Sequence, residues 1–450
     1  MASRTTLNAK NLEALGAPAL AELLLDISKG SAPAKQRLRL ALAGEQGPVE
    51  AAAEIGKRLA LIAKARTRVT WRRRKALVVD LQTQLAAIEG QVLPSDPALG
   101  GDLLWRFVAL ADPVFDRCED RTGEIASVFQ AGVAALGAGS VGMDPRPMAE
   151  RVFEALSDNG YGQFDGLIPA MSGALGPEGL AAVKERLQGA KVPRGGLLAL
   201  RQIADAGNDV DAFIASYPAG ARALPAVAAE IAGRLVAAGR AEEALAVLDR
   251  VDAKPDGGWI PVDWQDARIA ALEGLGRTEE AQAFRWACFE RQLSAPHLRD
   301  YLKRLPDFDD MEAEEKALAF AAGFGNAVAA LNFLVNWNAL PQAAALVIAR
   351  QCELDGEHHE ILIAAGERLS DGFPLAAMAL FRAVVDWVLR RAKSAHYAQA
   401  AQLFVECARL DAHVVDHGSV APHAKFTDWA EELHGRKIAF WAAVAKLEAR

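Results

Sequence analysis

AGRAEEALAVL, residues 238–248, and LGRTEEAQAFR, residues 275–285, write one turn twice. Gly239, Arg240, Glu242, Glu243 and Ala244 return as Gly276, Arg277, Glu279, Glu280 and Ala281 at an offset of 37 residues. Glycine closes one helix because it adopts a left-handed backbone at no steric cost. Two acids open the next helix, opposite the positive end of its dipole. The small Ala permits close helix contact. A period of this length is what stacked helix pairs produce.

Composition extends that reading to the whole chain of 450 residues. Ala alone supplies 93 of them, and Leu is the other frequent apolar residue. Both are strong helix formers because they lose little side-chain entropy in a helix. Runs of β-branched or aromatic residues with period two are rare. The expectation is an all-α fold of stacked helical hairpins, a tetratricopeptide-like solenoid or a compact helical-repeat array. Glycines and prolines divide it into a basic N-terminal helical region over 1–92, a second helical region over 98–192, hairpins over 197–304 and C-terminal hairpins over 305–450. The glycine-rich stretch 137–147 reads as a break between helices. PQAAALV at Pro341 and PLAAMAL at Pro374 give a weaker echo, with proline at a helix start in each. The acids from Asp307 to Glu315 read as a decorated helix N-terminus.

The turn and second-helix start of the 37-residue repeat resemble a tetratricopeptide repeat over about a dozen residues per copy. The first-helix Trp, Leu-Gly and Tyr pattern of that family is absent. The C-terminal stretch RRAKSAHYAQAAQLFVECARL, with His423, Phe426 and HGRKIAFW from His434, is similar to the helical C-terminal region of SWIM zinc-finger proteins. Their CxC and CxH metal pairs are absent, so no zinc ligand carries over. Through NLEALG, LRLALAG, LLWRFVALAD, LKRLPDFDD and HGRKIAFW, the chain also resembles an uncharacterised family of bacterial helical proteins. That resemblance implies an all-helical fold and no catalytic activity.

Charge is the strongest local signal. Nine cations, from Lys57 to Lys75, fall within 19 residues that hold no acid. Residues 1–75 carry a net charge of +9, although the whole chain carries -8. On one continuous helix Lys57, Lys64, Arg68, Arg72 and Lys75 would share a face and could track a phosphate backbone. Trp71 beside them could stack on a base. Arg66 and Arg73 fall nearer Leu59 and Ile62, which suggests helix packing for these two. The competing reading pairs the basic segment with the acidic body of the same chain.

The chemical templates fail. No GxxxxGK[ST], GxSxG or HExxH occurs, and the glycines of 137–142 follow no predicted strand. Four scattered cysteines form neither a CxxC pair nor a disulfide framework. His413 and His417 have a spacing able to hold a metal if they share a helix face, and ordinary surface histidines are the simpler reading. Arg117 beside Cys118 could lower the thiol pKa. The acids around Arg117 and Arg121 do not have the calcium-loop spacing. The expectation is a non-enzymatic protein with no cofactor and no metal. The start, MASRTTLNAKNLEALG, lacks a signal peptide's apolar core, and the uncharged stretch between Lys316 and Arg350 is too rich in amides for a membrane span. A cytoplasmic scaffold or adaptor that binds a protein partner follows as the leading function. Its candidate contacts are Arg240, Trp259, Trp264, Arg277, Trp286 and Trp337, because Trp and Arg dominate interface hot spots. The plain alternative for these tryptophans is hairpin core. Nucleic-acid binding through Lys57, Lys64, Arg68, Trp71, Arg72 and Lys75 is the second function.

Overall fold

At Gly239 and Gly276 the backbone is left-handed, with φ of 75° and 71°. In each copy the following arginine forks onto the acid three residues on. Arg240 Nε lies 2.7 Å from Glu243 Oε1, and Arg277 Nε lies 2.6 Å from Glu280 Oε1. The repeat is therefore a turn closed by glycine and clamped by an i,i+3 ion pair. Glu243 is held below its usual pKa chiefly by that hydrogen bond.

The computed structural model describes residues 7–189, 195–251 and 260–449. Among them all regular structure is helical, and within each compact unit helices pack on sequence neighbours and on helices one further along. The chain is an all-α protein of stacked helical hairpins. None of the described helices is long and apolar enough to cross a membrane. The uncharged stretch instead supplies the Ala327–Asn336 and Leu340–Ala349 helices, whose Leu331, Leu334 and Val347 are fully buried.

Two compact units form. One comprises Met1–Ala238 with Asp249–Asp252, and the other Gly239–Leu248 with Ala253–Arg450. In the first, the Phe129 ring centroid lies 5.6 Å from that of Phe107 and 5.8 Å from that of Phe115. Around them pack the Pro48–Lys64, Pro97–Val108 and Glu124–Gly139 helices. In the second, the Pro374–Arg390 helix lies against both His359–Leu369 and Tyr397–Asp411. Phe381, Phe404 and Phe440 anchor that core. Pro341 and Pro374 both stand in the first turn of their helices, as the echo implies. The acidic stretch opens the Asp309–Ala322 helix with Asp309, Asp310 and Glu312 in its first turn.

Three local expectations need correction. The glycine-rich stretch does not break at Gly137, since the Glu124–Gly139 helix runs through it and the left-handed turn comes at Gly142. His413 and His417 share no helix, because the Tyr397–Asp411 helix ends before both. His417 Nε2 instead meets Asp411 Oδ1 at 2.9 Å. No group of metal-holding residues occurs among the described residues. Finally, the basic segment does not form the continuous helix that a single ridge needs, and it breaks where Thr67 to Thr70 allow an interruption. It is the end of Pro48–Lys64, a non-helical link over 65–70, and the start of Trp71–Ala87.

Candidate nucleic-acid interface

The Pro48–Lys64 helix buries Ile55, Leu59 and Ile62 and turns Lys57 and Lys64 outward. Arg58 reaches across to the next helix, where its Nε and Nη2 hold Asp80 Oδ2 at 3.0 and 2.5 Å. This bidentate pair ties the two helices together. Between them the link is pinned by the N–H of Val69, which donates to the carbonyl of Arg117 at 2.8 Å. Arg117 is held in turn by its Nε donating to the Pro113 carbonyl at 3.1 Å.

The break replaces the expected single ridge with a tighter arrangement. Arg72, Arg73 and Arg74 now stand in the first turn of the Trp71–Ala87 helix. No acid shares that turn, and Thr70 gives no side-chain cap. Cations at the positive end of a helix dipole are unfavourable unless an anion joins them. Acids in the chain neutralise few of these cations. Lys57 pairs with Glu54 at 3.3 Å, Arg58 with Asp80, and Arg74 more loosely with Glu124 at 3.6 Å. For Lys64, Arg66, Arg68, Arg72, Arg73 and Lys75 no acid lies within 4 Å among the described residues. All six are exposed, so the packing role expected of Arg66 and Arg73 is not what the fold uses. Trp71 is 76% exposed, and the Arg72 guanidinium lies 5.3 Å from its ring centroid.

Two adjoining cavities meet at Arg68, Val69 and Arg117. One, of about 640 Å³, gathers Arg37, Arg58, Arg68, Arg72, Arg73 and Lys75 around an apolar floor that includes Leu40 and Leu77. Its one acid is Asp80, already held by Arg58. The other, of about 750 Å³, opens beside Trp71 and adds Arg74 and Arg121. Its acids are engaged as well. Asp116 accepts from the Tyr161 hydroxyl at 2.6 Å, and Glu119 pairs with Arg121 at 3.1 Å. Cys118 lies in this wall, and burial pushes its thiol up despite Arg74 and Arg117 nearby, the reverse of the lowering expected from Arg117 alone. Arg37 and Arg117 could not be assigned to this site from local spacing, because the fold brings them there from other elements.

The other candidate surface has different geometry. Trp264 is buried edge-on against Phe284 at 6.2 Å. Trp286 is half-buried beside Phe289 and Tyr301, and its Nε1 donates to Glu290 at 2.6 Å. Trp337 stacks on Phe333 at 5.5 Å and donates to Glu314 at 2.6 Å. Arg240 and Arg277 are the turn clamps described above. Trp259 lies outside the described residues.

The chain belongs to a family of proteins of unknown function, DUF6880, whose model matches it over residues 2–196 and 194–443. This agrees with the resemblance to an uncharacterised helical family and lends nothing to the SWIM or tetratricopeptide resemblances. No curated protein and no solved structure matches the chain.

Proposed function

We propose that this member of the DUF6880 family is a non-enzymatic binding protein that takes single-stranded nucleic acid on the cation-lined face around residues 64–75. The observation that carries the reading is the six exposed cations without an acid partner among the described residues, set beside an exposed Trp71. Intramolecular pairing accounts for only three of the nine cations. Guanidinium and ammonium groups bind phosphates along a strand, while an open indole offers a stacking platform that any base can use. A duplex does not present its base faces to an indole, so the exposed ring favours a single strand. The adaptor reading draws less support, since Trp264, Trp286 and Trp337 are packed against their own hairpins.

The test is fluorescence anisotropy with labelled single-stranded DNA and RNA, duplex DNA and polyglutamate, each at two salt concentrations. Single strands should bind more tightly than duplex, with affinity falling steeply as salt rises. Replacing Arg68, Arg72 and Lys75 by Ala should flatten the log–log salt slope by about 2, at roughly 0.7 per lost phosphate contact. The same triple variant should melt within about 1 kcal/mol of the parent, because exposed cations without ion-pair partners contribute little to stability. Trp71→Ala should weaken single-strand binding by about 1–3 kcal/mol, while Trp71→Phe keeps most of it. No binding at low salt would retire the proposal, and polyglutamate binding as tightly as the strands would transfer the site to an acidic protein.

A further inference from the structure

The second unit holds a buried guanidinium with only one of its three nitrogens hydrogen-bonded. Arg382, on the Pro374–Arg390 helix, is 7% exposed. Its Nη1 donates to the carbonyl of Ala421 and its guanidinium lies 5.1 Å from the Phe426 ring centroid, whereas its Nε and Nη2 have no hydrogen-bond partner. The nearest carboxylate oxygen, Asp411 Oδ1, stands 3.9 Å from Nη2. That oxygen already accepts from the backbone N–H of His423 at 3.0 Å and faces His417 Nε2 at 2.9 Å. Cys407 supplies no counter-charge either, since burial pushes its thiol up to about 12. A buried cation with unmet donors is costly unless an anion compensates it.

Arg382 lines a cavity of about 810 Å³ within this unit. Arg390 and Arg391 join it from the end of the same helix, and Trp387, Phe426 and Trp429 form apolar parts of its wall. Of the two acids on the wall one is paired with a cation, and the three arginines outnumber them. Asp386 holds Arg390 at 2.6 Å, and Asp355 accepts the N–H of Glu357 at 3.0 Å. Arg391 is exposed and has no acid within 4 Å among the described residues.

We infer that this cavity is a binding site for a small organic anion, a phosphate or carboxylate on an aromatic body, with Arg382 and Arg391 taking the charge and the indole and phenyl groups taking the body. The planar guanidinium fork matches either oxyanion, and one charged end on a flat apolar body suits a pocket of this composition. The site shares no residue with the nucleic-acid face.

Equilibrium dialysis of the full chain against phenyl phosphate, benzoate, inorganic phosphate and phenol tests the inference. One saturable site for phenyl phosphate or benzoate is expected, with phenol failing to bind and inorganic phosphate weaker than phenyl phosphate. The tighter of phenyl phosphate and benzoate identifies the oxyanion. Arg382→Lys and Arg391→Ala should each weaken it about 10- to 100-fold, as loss of a hydrogen bond to a charged group does. Arg391 is exposed at a helix end, so its variant decides the matter if the Arg382 variant fails to fold. The Arg68, Arg72 and Lys75 triple-Ala variant should bind as the parent does. No saturable binding at millimolar concentration overturns the inference. So does binding that survives Arg391→Ala, or that disappears in the triple variant.

Discussion

At the scale of single residues, the fold places ionisable groups where the sequence gives no warning. Arg285 ends the second copy of the repeated motif, inside the Thr278–Gln292 helix. In the structure its side chain is 1% exposed, with Nε on Asp300 at 2.8 Å and Nη2 on Glu273 at 2.5 Å. His423 and His434 are a second case. Burial is the main cause that lowers the pKa of each, with Arg382 adding to it for His423 and Lys437 for His434, while Asp411 and Asp386 act the other way. A histidine kept neutral by the fold contributes stability that is present above its ordinary value of about 6.5 and is lost as pH falls through its folded value. The urea midpoint should therefore drop as pH is taken from 8 to 5. The drop should be smaller in His423→Phe, whose ring can keep the edge-on contact with Phe404 at 4.8 Å. A pH-independent difference between the two proteins would refute this assignment. Asp411 and Asp300 extend the trend to lower pH. Burial opposes their ionisation, but hydrogen bonds from His417 and the His423 N–H, and from Arg304 and Arg285, hold them below the usual carboxylate range. The stability they contribute is lost as pH falls below about 4.

At the scale of elements, glycines separate into two kinds that look alike in sequence. Gly239 and Gly276 serve turns, as their motif implies. Gly137 sits inside the Glu124–Gly139 helix, where a Cβ would run into the carbonyl oxygen of Ala170 on the Leu167–Gly189 helix. Its role is close approach of two helices, and the glycine-rich composition of 137–147 conceals that. Gly137→Ala should destabilise the protein by about 2–3 kcal/mol, because an overpacked contact against backbone cannot relax by a rotamer change. Gly173 lies on the partner helix, and a methyl group added there would meet nothing within 4 Å. Gly173→Ala should stabilise by about 0.5–1 kcal/mol through reduced chain entropy and better helix propensity. Equal effects in chemical denaturation would contradict the packing account. The basic segment shows the same limit. Residues 49–88 read as a helical stretch with Thr67 to Thr70 as its point of interruption, and the Val69 to Arg117 hydrogen bond holds the chain non-helical at 65–70. Thr67 to Thr70 mark where the stretch can break, but the contact that fixes the break spans 48 positions and has no local signal.

At the scale of the whole molecule, the second compact unit begins inside the first copy of the repeated turn, at Gly239. The Ala241–Asp249 helix buries Ala241, Ala244, Leu245 and Leu248. All four lie in Gly239–Leu248, the part of this helix that belongs to the second unit. A fragment starting at Gly239 should fold by itself into a cooperatively melting helical protein, since a compact unit of this size carries its own core. Far-UV circular dichroism and a thermal melt of residues 239–450 check this. A non-cooperative melt would show that the unit depends on the rest of the chain.

The helical class, the repeated glycine turn with its acidic helix start, the proline-led helices and the cation-rich segment were all determined by the sequence alone. Each depends on propensity, periodicity or charge acting within one or two helical turns. The structure alone decided how the cationic segment is pinned at its break, which of its charges stay unpaired, and that Arg37 and Arg117 join them. It also decided that Trp264 is core, that Gly137 is a contact and that Arg382 is a buried cation on a cavity. These depend on side chains far apart in the chain meeting at a few ångströms. A change of one residue in a turn or of a few degrees at a helix end redirects such meetings, while leaving the local pattern that can be read from the sequence unchanged.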